Sequence, residues 1–424
     1  MDSRILDLLQ ECYAEEFSLV RGNFQELEDL VVALMRDVGK GLLQRIVSEQ
    51  ANGYKGSSMA CSCGGSMRFV GNRSKNIHTT VGWITLKRAY YHCPQCQRSC
   101  LPYDQASGLG SEALSVGLAK ACCLLAVDDS FEQTATKIKE LFGEDVSAKT
   151  IERVVHQVGS VILNQQNQEL EGLLNDKNKN IPACKNPPER LYITADGTTV
   201  HETDAWHESK VGVIYWEDGD FEPDQYYVGG FDESKRFGWN LWLGACRCGL
   251  REAGEVVYIG DGAAWVRSIH EAHFGRATFI VDWYHAKEHI WDCAKVLYGE
   301  GTSAAEKWAE HRCGLLWEGR TRKLLRDLHK RRKRHRGRKL EAIKGLYRYI
   351  KTNQQQMRYD VFRANGYDIG SGAVEGACKH VVGKRLKQSG MIWTRPGSSA
   401  TLALRITWLN EQWNQLWLRK PLAA

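Results

Sequence analysis

No apolar run in this 424-residue sequence approaches the roughly 20 residues that cross a bilayer, which excludes a helical membrane span as an expectation. Nor does the chain start as an export signal would. "MDSRILDLLQECYAEEF" is acidic and amphipathic where a signal peptide is basic and then apolar, so the expectation is a soluble, intracellular protein. Net charge is also small. The 57 Lys and Arg against 51 Asp and Glu leave +6, so the distribution of charge, not its total, must indicate the partners. Fourteen cysteines without an export signal read as thiols and metal ligands in preference to disulfides. An apolar fraction of 43% is that of a folded protein, and the length is too great for one core, so two to four units are expected.

Residues 1–55 read as a helical segment and candidate oligomerisation element, with Ile5, Leu8, Leu9 and Cys12, then Leu27, Leu30, Val31, Leu34 and Met35, recurring at three and four. Residues 56–105 carry two cysteine pairs, Cys61-x-Cys63 and Cys93-x-x-Cys96, separated by strand-like text. Brought together by a hairpin, four thiolates satisfy the closed tetrahedral coordination of a structural Zn²⁺. Free buried cysteines are the alternative, and His92 and Cys100 lie near enough to substitute as ligands. Within 106–178, a helix from about Ser130 to Leu141, a turn at Gly143 and a second helix capped by Ser147 match a helix-turn-helix. Ile151, Val154, Val155 and Val158 would be the buried stripe of the second helix, with Lys149, Thr150 and Arg153 toward DNA. A plain helical hairpin would look similar.

From 189 to 290 the order is three strands, a helix, a strand, a short helix and a fifth strand. Such an order predicts a hairpin-connected meander extended by right-handed crossovers into one mixed five-stranded sheet. The first strand would be central and the fourth parallel beside it. Asp196 ends the first in "YITADGTT", and Asp261 ends the fourth in "VVYIGDGAAW". An Asp-Gly turn alone explains Asp261; a cation held between two carboxylates is the sharper alternative, and hard oxygen ligands suit Mg²⁺ or Mn²⁺. A third carboxylate would hold a second ion for in-line phosphoryl transfer. Glu375 is the candidate, on a helix whose Lys384, Arg385 and Lys387 would contact DNA, although a lone helical Glu usually faces solvent. Residues 291–365 read as helical and basic, and include Arg331, Arg332, Lys333 and Arg334. That run is either a solvated face or a neutraliser of phosphates. In 366–424, Leu402, Ile406, Leu409, Trp413 and Leu416 fall on one face of a C-terminal helix read as packing or dimerising.

The cysteine-paired text, the helix-turn-helix, "ADGTTV", "GDGAAW", "VDWYH" and "GAVEGACKHVVGKRLKQSGMIW" together resemble the DDE transposases of bacterial insertion sequences, of the ISKra type, akin to the Mutator-like and hAT groups. That resemblance implies an RNase H-like α/β catalytic domain with an all-helical insertion, preceded by the zinc module and the helix-turn-helix. It implies Asp196, Asp261 and Glu375 as ligands of two Mg²⁺ or Mn²⁺ ions, and Asp282-x-x-His285 as the motif whose His285 orients a phosphate. The end of the fifth strand, packed beneath the site, is the other reading of Asp282. Trp393 would stack on an unpaired base or pack in the core. The implied partners are DNA at the terminal inverted repeats and at the target, bound by a homodimer or higher oligomer in the nucleoid, with no membrane. The implied reaction is hydrolysis at the element end followed by 3′-hydroxyl strand transfer, without a covalent enzyme intermediate. Two rivals stand beside it: a non-catalytic DNA-binding regulator or domesticated transposase, and an RNase H-like structure-specific nuclease.

Overall fold

A computed structural model describes residues 7, 10–15, 23–50, 52–107, 109, 113–176, 181, 183–216 and 224–419; Ile5, Leu8 and Leu9 lie outside them. The chain divides into two compact units, 1–158 with 415–424, and 159–414.

In the first unit, α1 (Phe24–Glu49) starts where the Asn23 side chain accepts from the Gln25 N–H at 3.1 Å. Strands β1 (Ser58–Ala60), β2 (Ser66–Thr79), β3 (Gly82–His92) and β4 (Ser99–Cys100) form an antiparallel sheet in that order. The β2–β3 hairpin dominates it, with alternation that buries Ile77, Ile84 and Leu86 against Leu43 and Val47 of α1. Helices α2 (Pro102–Ser107), α3 (Val116–Ala126) and α4 (Phe131–Phe142) follow. A capping box between Ser130 and Gln133 opens α4, and Gly143, at φ +71°, closes it. Then Ser147 Oγ accepts from the Thr150 N–H at 3.2 Å and α5 (Ala148–Asn175) begins. Both helix starts and the turn match the sequence reading. The division between units does not fall in the polar linker near residue 178 but inside α5, between Val158 and Gly159. The second half of α5 belongs to the second unit because Gly159 packs so closely on Ala400 that a Cβ would lie 2.2 Å from its carbonyl oxygen. Arg236 reinforces this by donating to Asn167 Oδ1 at 2.6 Å.

In the second unit, β5 (Arg190–His201), β6 (Trp206–Trp216) and β7 (Asp224–Gly230) form an antiparallel meander. After α6 (Ser234–Arg247), β8 (Glu255–Gly260) enters parallel to β5; after α7 (Ala264–His273), β9 (Thr278–Val281) enters parallel to β8. The sheet order is therefore β7-β6-β5-β8-β9, with β5 central. The last strand is shorter than its text suggests, because Asp282 caps α8 (Trp283–Tyr298) in place of extending the strand. Helices α8, α9 (Ser303–Trp317), α10 (Thr321–Arg332) and α11 (Gly337–Asn353) pack as a bundle around Leu297, Leu316, Leu328 and Ile343. The chain then passes through α12 (Tyr359–Ala364) and returns to the sheet as α13 (Gly372–Ala377), a π-helical turn (Cys378–Gly383) and α14 (Lys384–Leu386). The C-terminal apolar stripe is not one helix. It breaks at Asn410–Gln412, with Glu411 at φ 59°, into α15 (Arg395–Leu409) and α16 (Trp413–Leu418). Among the described residues, no helix is long and apolar enough to cross a membrane.

Candidate metal centre at the end of the parallel strands

β5 outruns β8. Their parallel register runs from Arg190 opposite Glu255 to Thr194 opposite Ile259. Continued by two residues, it sets Asp196 level with Asp261, on strands roughly 4.8 Å apart. Beyond this point β5 pairs with β6 alone, so the carboxylates emerge where the sheet opens. Asp196 Oδ1 accepts from the Gly197 N–H, and Asp261 Oδ1 from the Ala263 N–H, each at 2.7 Å. One oxygen of each carboxylate is thus fixed by local backbone. Gly262 holds φ +83°, which favours glycine, and the space where a Cβ would stand faces the Asn353 side chain at 3.4 Å.

α13 and the π turn cover β5 and β6 on this side. Asp368 leads them in, accepting from Tyr215 Oη at 3.1 Å while its N–H donates to Tyr192 Oη at 3.2 Å. Glu375 is exposed on α13, close enough for its charge to act on Asp196. Burial raises the Asp196 carboxyl above the ordinary aspartate range, and the charges of Asp261 and Glu375 raise it further, against the Gly197 N–H and His285. Negative charge that His285 only partly offsets, on hard oxygen donors, suits a divalent cation. The three carboxylates are not a tight cage: their oxygens are not all within 4.8 Å of one another. A two-ion site spreads its ligands more widely than a single-ion cage.

Sequence reasoning put Asp282 either in the motif or beneath the site, and it is fully buried at the sheet end. Its Oδ1 accepts from the His285 N–H at 2.7 Å, capping α8, and its Oδ2 accepts from the Ser371 N–H ahead of α13. Burial works against the charged form of Asp282, but the bonds to His285 and Ser371 win and hold its carboxyl below the usual range. His285 Nδ1 lies 3.4 Å from Asp282 Oδ1. That pairing, opposed by burial and aided by Asp261, pushes the imidazole up to about 9, so it is cationic at neutral pH beside the carboxylates.

Two contributors escaped the sequence reading. Cys378 Sγ lies 3.9 Å from Asp196 Oδ2, and its thiol is pushed up to about 12 by burial and by Asp196. Arg405, fully buried on α15, donates from Nε to Val381 O at 2.9 Å and from Nη2 to His380 O at 2.6 Å. Those carbonyls belong to the π turn, whose wider ladder turns them toward a donor. No local signal announces either residue, since both depend on partners more than twenty positions away.

The nucleic-acid candidates divide. Lys149 and Arg153 are exposed on the first turns of α5 and Thr150 is half-buried. Lys384 and Lys387 are exposed, and Lys387 Nζ donates to Thr198 Oγ1 beyond Asp196. Arg385 does not face DNA: it is fully buried, its guanidinium 5.0 Å from the Trp393 ring centroid. Trp393 is core as well, buried with Nε1–H donating to Leu386 O at 3.1 Å. Arg331 Nη1 donates to Tyr298 Oη at 2.7 Å and Arg332 lies over Tyr347 at 5.1 Å, while Lys333 and Arg334 project from the end of α10.

In the first unit, Cys61, Cys63, Cys93 and Cys96 bring all four sulfurs within 4.8 Å of one another, with Cys61 to Cys96 at 3.5 Å and Cys63 to Cys93 at 3.8 Å. A tetrahedron of thiolates about 2.3 Å from a central ion has edges of roughly 3.8 Å, so the donors fit a tetrahedral metal. The Cys63 N–H and the neighbouring thiols lower Cys61 to about 6 against burial. Cys96 feels the Arg98 N–H, yet burial and the other three thiols push it up to about 12. Four thiols so placed compete for protons in a way that one shared cation would relieve. His92 and Cys100 stand outside this set of four.

No curated protein matches the chain. The model of the uncharacterised protein family UPF0236 matches residues 21–229 and 244–415, and the chain therefore belongs to that family.

Proposed function

We propose that the chain is a DNA transposase of the DDE type, a metal-dependent polynucleotidyl transferase with an RNase H-like core. The observation that carries this reading is that Asp196 and Asp261 stand level at the open end of β5 and β8, with the Asp196 carboxyl raised by burial and then by the charges of Asp261 and Glu375. The order β7-β6-β5-β8-β9 and the helical bundle between β9 and α13 support the core assignment. Asp196, Asp261 and Glu375 would hold Mg²⁺ or Mn²⁺. Such ions supply charge neutralisation at phosphoryl oxygens and an activated water.

His285, cationic and held by Asp282, suits a non-bridging phosphate oxygen, and Lys387 beside Thr198 suits the next phosphate along. In hydrolysis, the water oxygen bonds to phosphorus as the P–O3′ bond breaks, and the departing O3′ takes a proton. In strand transfer, that 3′-hydroxyl bonds to a target phosphorus as another P–O3′ bond breaks, with its proton passing to the leaving oxygen. No side-chain nucleophile enters. The four thiols of the first unit would hold a structural Zn²⁺.

The test is cleavage and joining of a labelled duplex carrying an element end, with Mn²⁺. Wild type should cleave and join. Asp261→Ala should abolish both, by roughly a thousandfold or more, while duplex binding persists. Binding without cleavage under any divalent ion would leave a DNA-binding regulator, and cleavage without joining would leave a nuclease.

A further inference from the structure

Asp196 and Asp261 are held in different ways. Asp196 lies inside β5, where it pairs opposite Val211 of β6, whereas Asp261 stands one residue past the last pairing of β8, Gly260 opposite Val281. A ligand on a loop is placed less precisely than one on a strand unless another element fixes it.

That support comes from α11, in the helical insertion. Tyr349 Oη donates to the backbone carbonyl of Asp261 at 3.1 Å, across 88 positions of sequence. Because Asp261 Oδ1 already accepts from the Ala263 N–H, the two bonds together set both the peptide plane and the side-chain rotamer of Asp261. One turn further along α11, the buried Asn353 stands beside Gly262, where a Cβ would lie 3.4 Å from its amide atoms. Asn353 Nδ2 donates to Tyr349 O at 2.9 Å, and its Oδ1 accepts from Arg267 on α7, the helix into which the loop runs. One helix thus grips the loop at its start, its middle and its exit.

α11 has an anchor of its own. Just past its end, Gln356 O accepts from the Val281 N–H at 2.9 Å and Tyr359 Oη donates to Val281 O at 2.8 Å, which ties the insertion to the last residue of β9. The Tyr349 ring is held as well, its centroid 3.9 Å from that of His289 on α8. Burial, and then the charges of Asp261, Asp282 and Glu288, push the Tyr349 hydroxyl above the ordinary tyrosine value, so it stays a donor. Loss of that one hydroxyl would leave the helix docked and the ring packed, and would free the Asp261 carbonyl.

We infer that α11 braces the metal loop, with Tyr349 and Asn353 as positioning residues that hold Asp261 in its ligating orientation before an ion arrives. The inference rests on the reading of Asp261 as a metal ligand. It gives the insertion a task apart from any contact with DNA, because a loop ordered in advance lowers the ordering cost of binding the ion.

The experiment titrates the full-length chain with Mn²⁺ and reads the free ion by electron paramagnetic resonance. Tyr349→Phe should weaken Asp261-dependent Mn²⁺ binding by about 10- to 100-fold, the usual worth of a group that orients a metal ligand. Tyr359→Phe is the matched control, since it removes the same kind of bond from Val281 O, one strand away. It should lower the melting temperature about as much as Tyr349→Phe does and leave Mn²⁺ binding unchanged. Equal Mn²⁺ affinity in wild type and a folded Tyr349→Phe would overturn the inference, and so would equal weakening in Tyr359→Phe, which means general loosening. Should Tyr349→Phe not fold, hydrogen exchange of wild type in EDTA decides: the Ala263 amide should be protected, and exchange at the unfolded-chain rate would overturn the brace. Asp261→Ala separates the two readings. Mn²⁺ binding that survives Asp261→Ala removes the metal centre and the brace together, whereas binding lost in Asp261→Ala but intact in Tyr349→Phe removes the brace alone.

Discussion

Asp196→Asn should make the metal-free protein more stable and at the same time deaf to divalent cations. Asn keeps the oxygen that accepts from the Gly197 N–H at 2.7 Å, so local geometry survives and only charge is lost. Two carboxylates at adjacent-strand spacing, about 5 Å, repel by about 3 kcal/mol at an effective dielectric near 20. Solvent at the half-open site and the cationic His285 reduce this, and about 1 to 3 kcal/mol is expected. For a unit the size of 159–414, about 3 °C per kcal/mol converts that to a rise of roughly 3 to 9 °C in the melting temperature. Mn²⁺ at about 100 times its dissociation constant should stabilise wild type by about 2.7 kcal/mol and the variant by far less. Scanning calorimetry in EDTA and in excess Mn²⁺ measures both effects on one sample. A variant that melts earlier than wild type in EDTA, yet gains as much from Mn²⁺, would refute the reading of Asp196 as a frustrated ligand.

Cys93→Ser should lower bound zinc from about one ion per chain toward none and destabilise the first unit, because three thiolates leave the tetrahedron open; elemental analysis with unchanged metal content would refute the thiolate site. His285 gives a pH signature. Its folded value of about 9 lies above the ordinary 6.5, so its contribution is complete below the ordinary value and is lost as pH rises through the folded one. Metal-free His285→Gln should therefore trail wild type at about pH 6, by at most about 3 kcal/mol, and converge with it at about pH 10. A constant gap in melting temperature across that range would contradict the pairing with Asp282.

Much of this architecture was legible because its signals are local. The buried run of β8 ending on Asp261, the capping box of α4, the left-handed Gly143 and the paired cysteines each announce themselves within a few residues. What was hidden depends on distant partners. In a basic helix, Arg385 reads as solvent-facing, and only the fold supplies the Trp393 ring beneath which it is buried. The C-terminal stripe keeps helical spacing through Asn410, yet the helix stops there. The reason is the open edge of β7: Asn410 Oδ1 accepts from the Tyr227 N–H and Asn410 Nδ2 donates to Tyr227 O, each at 2.8 Å. Glu375 could be nominated by its surroundings, but its place over β5 follows from Asp368, Tyr192, Tyr215 and Asp282 acting together.

The π turn between Glu375 and Lys387 acts as a phase shifter. A ladder that reaches one residue further back winds more chain into each turn, so everything after Gly383 is rotated by about 100° from where an unbroken α-helix would carry it. Lys387 reaches Thr198, and so lies on the same side as the carboxylates, because that slip occurs between them. Arg405 acts as the detent that holds it. A chain shortened by one residue within Cys378–Gly383 could return to a regular ladder while leaving both ends aimed as they are now, and would take from Arg405 the carbonyls it grips.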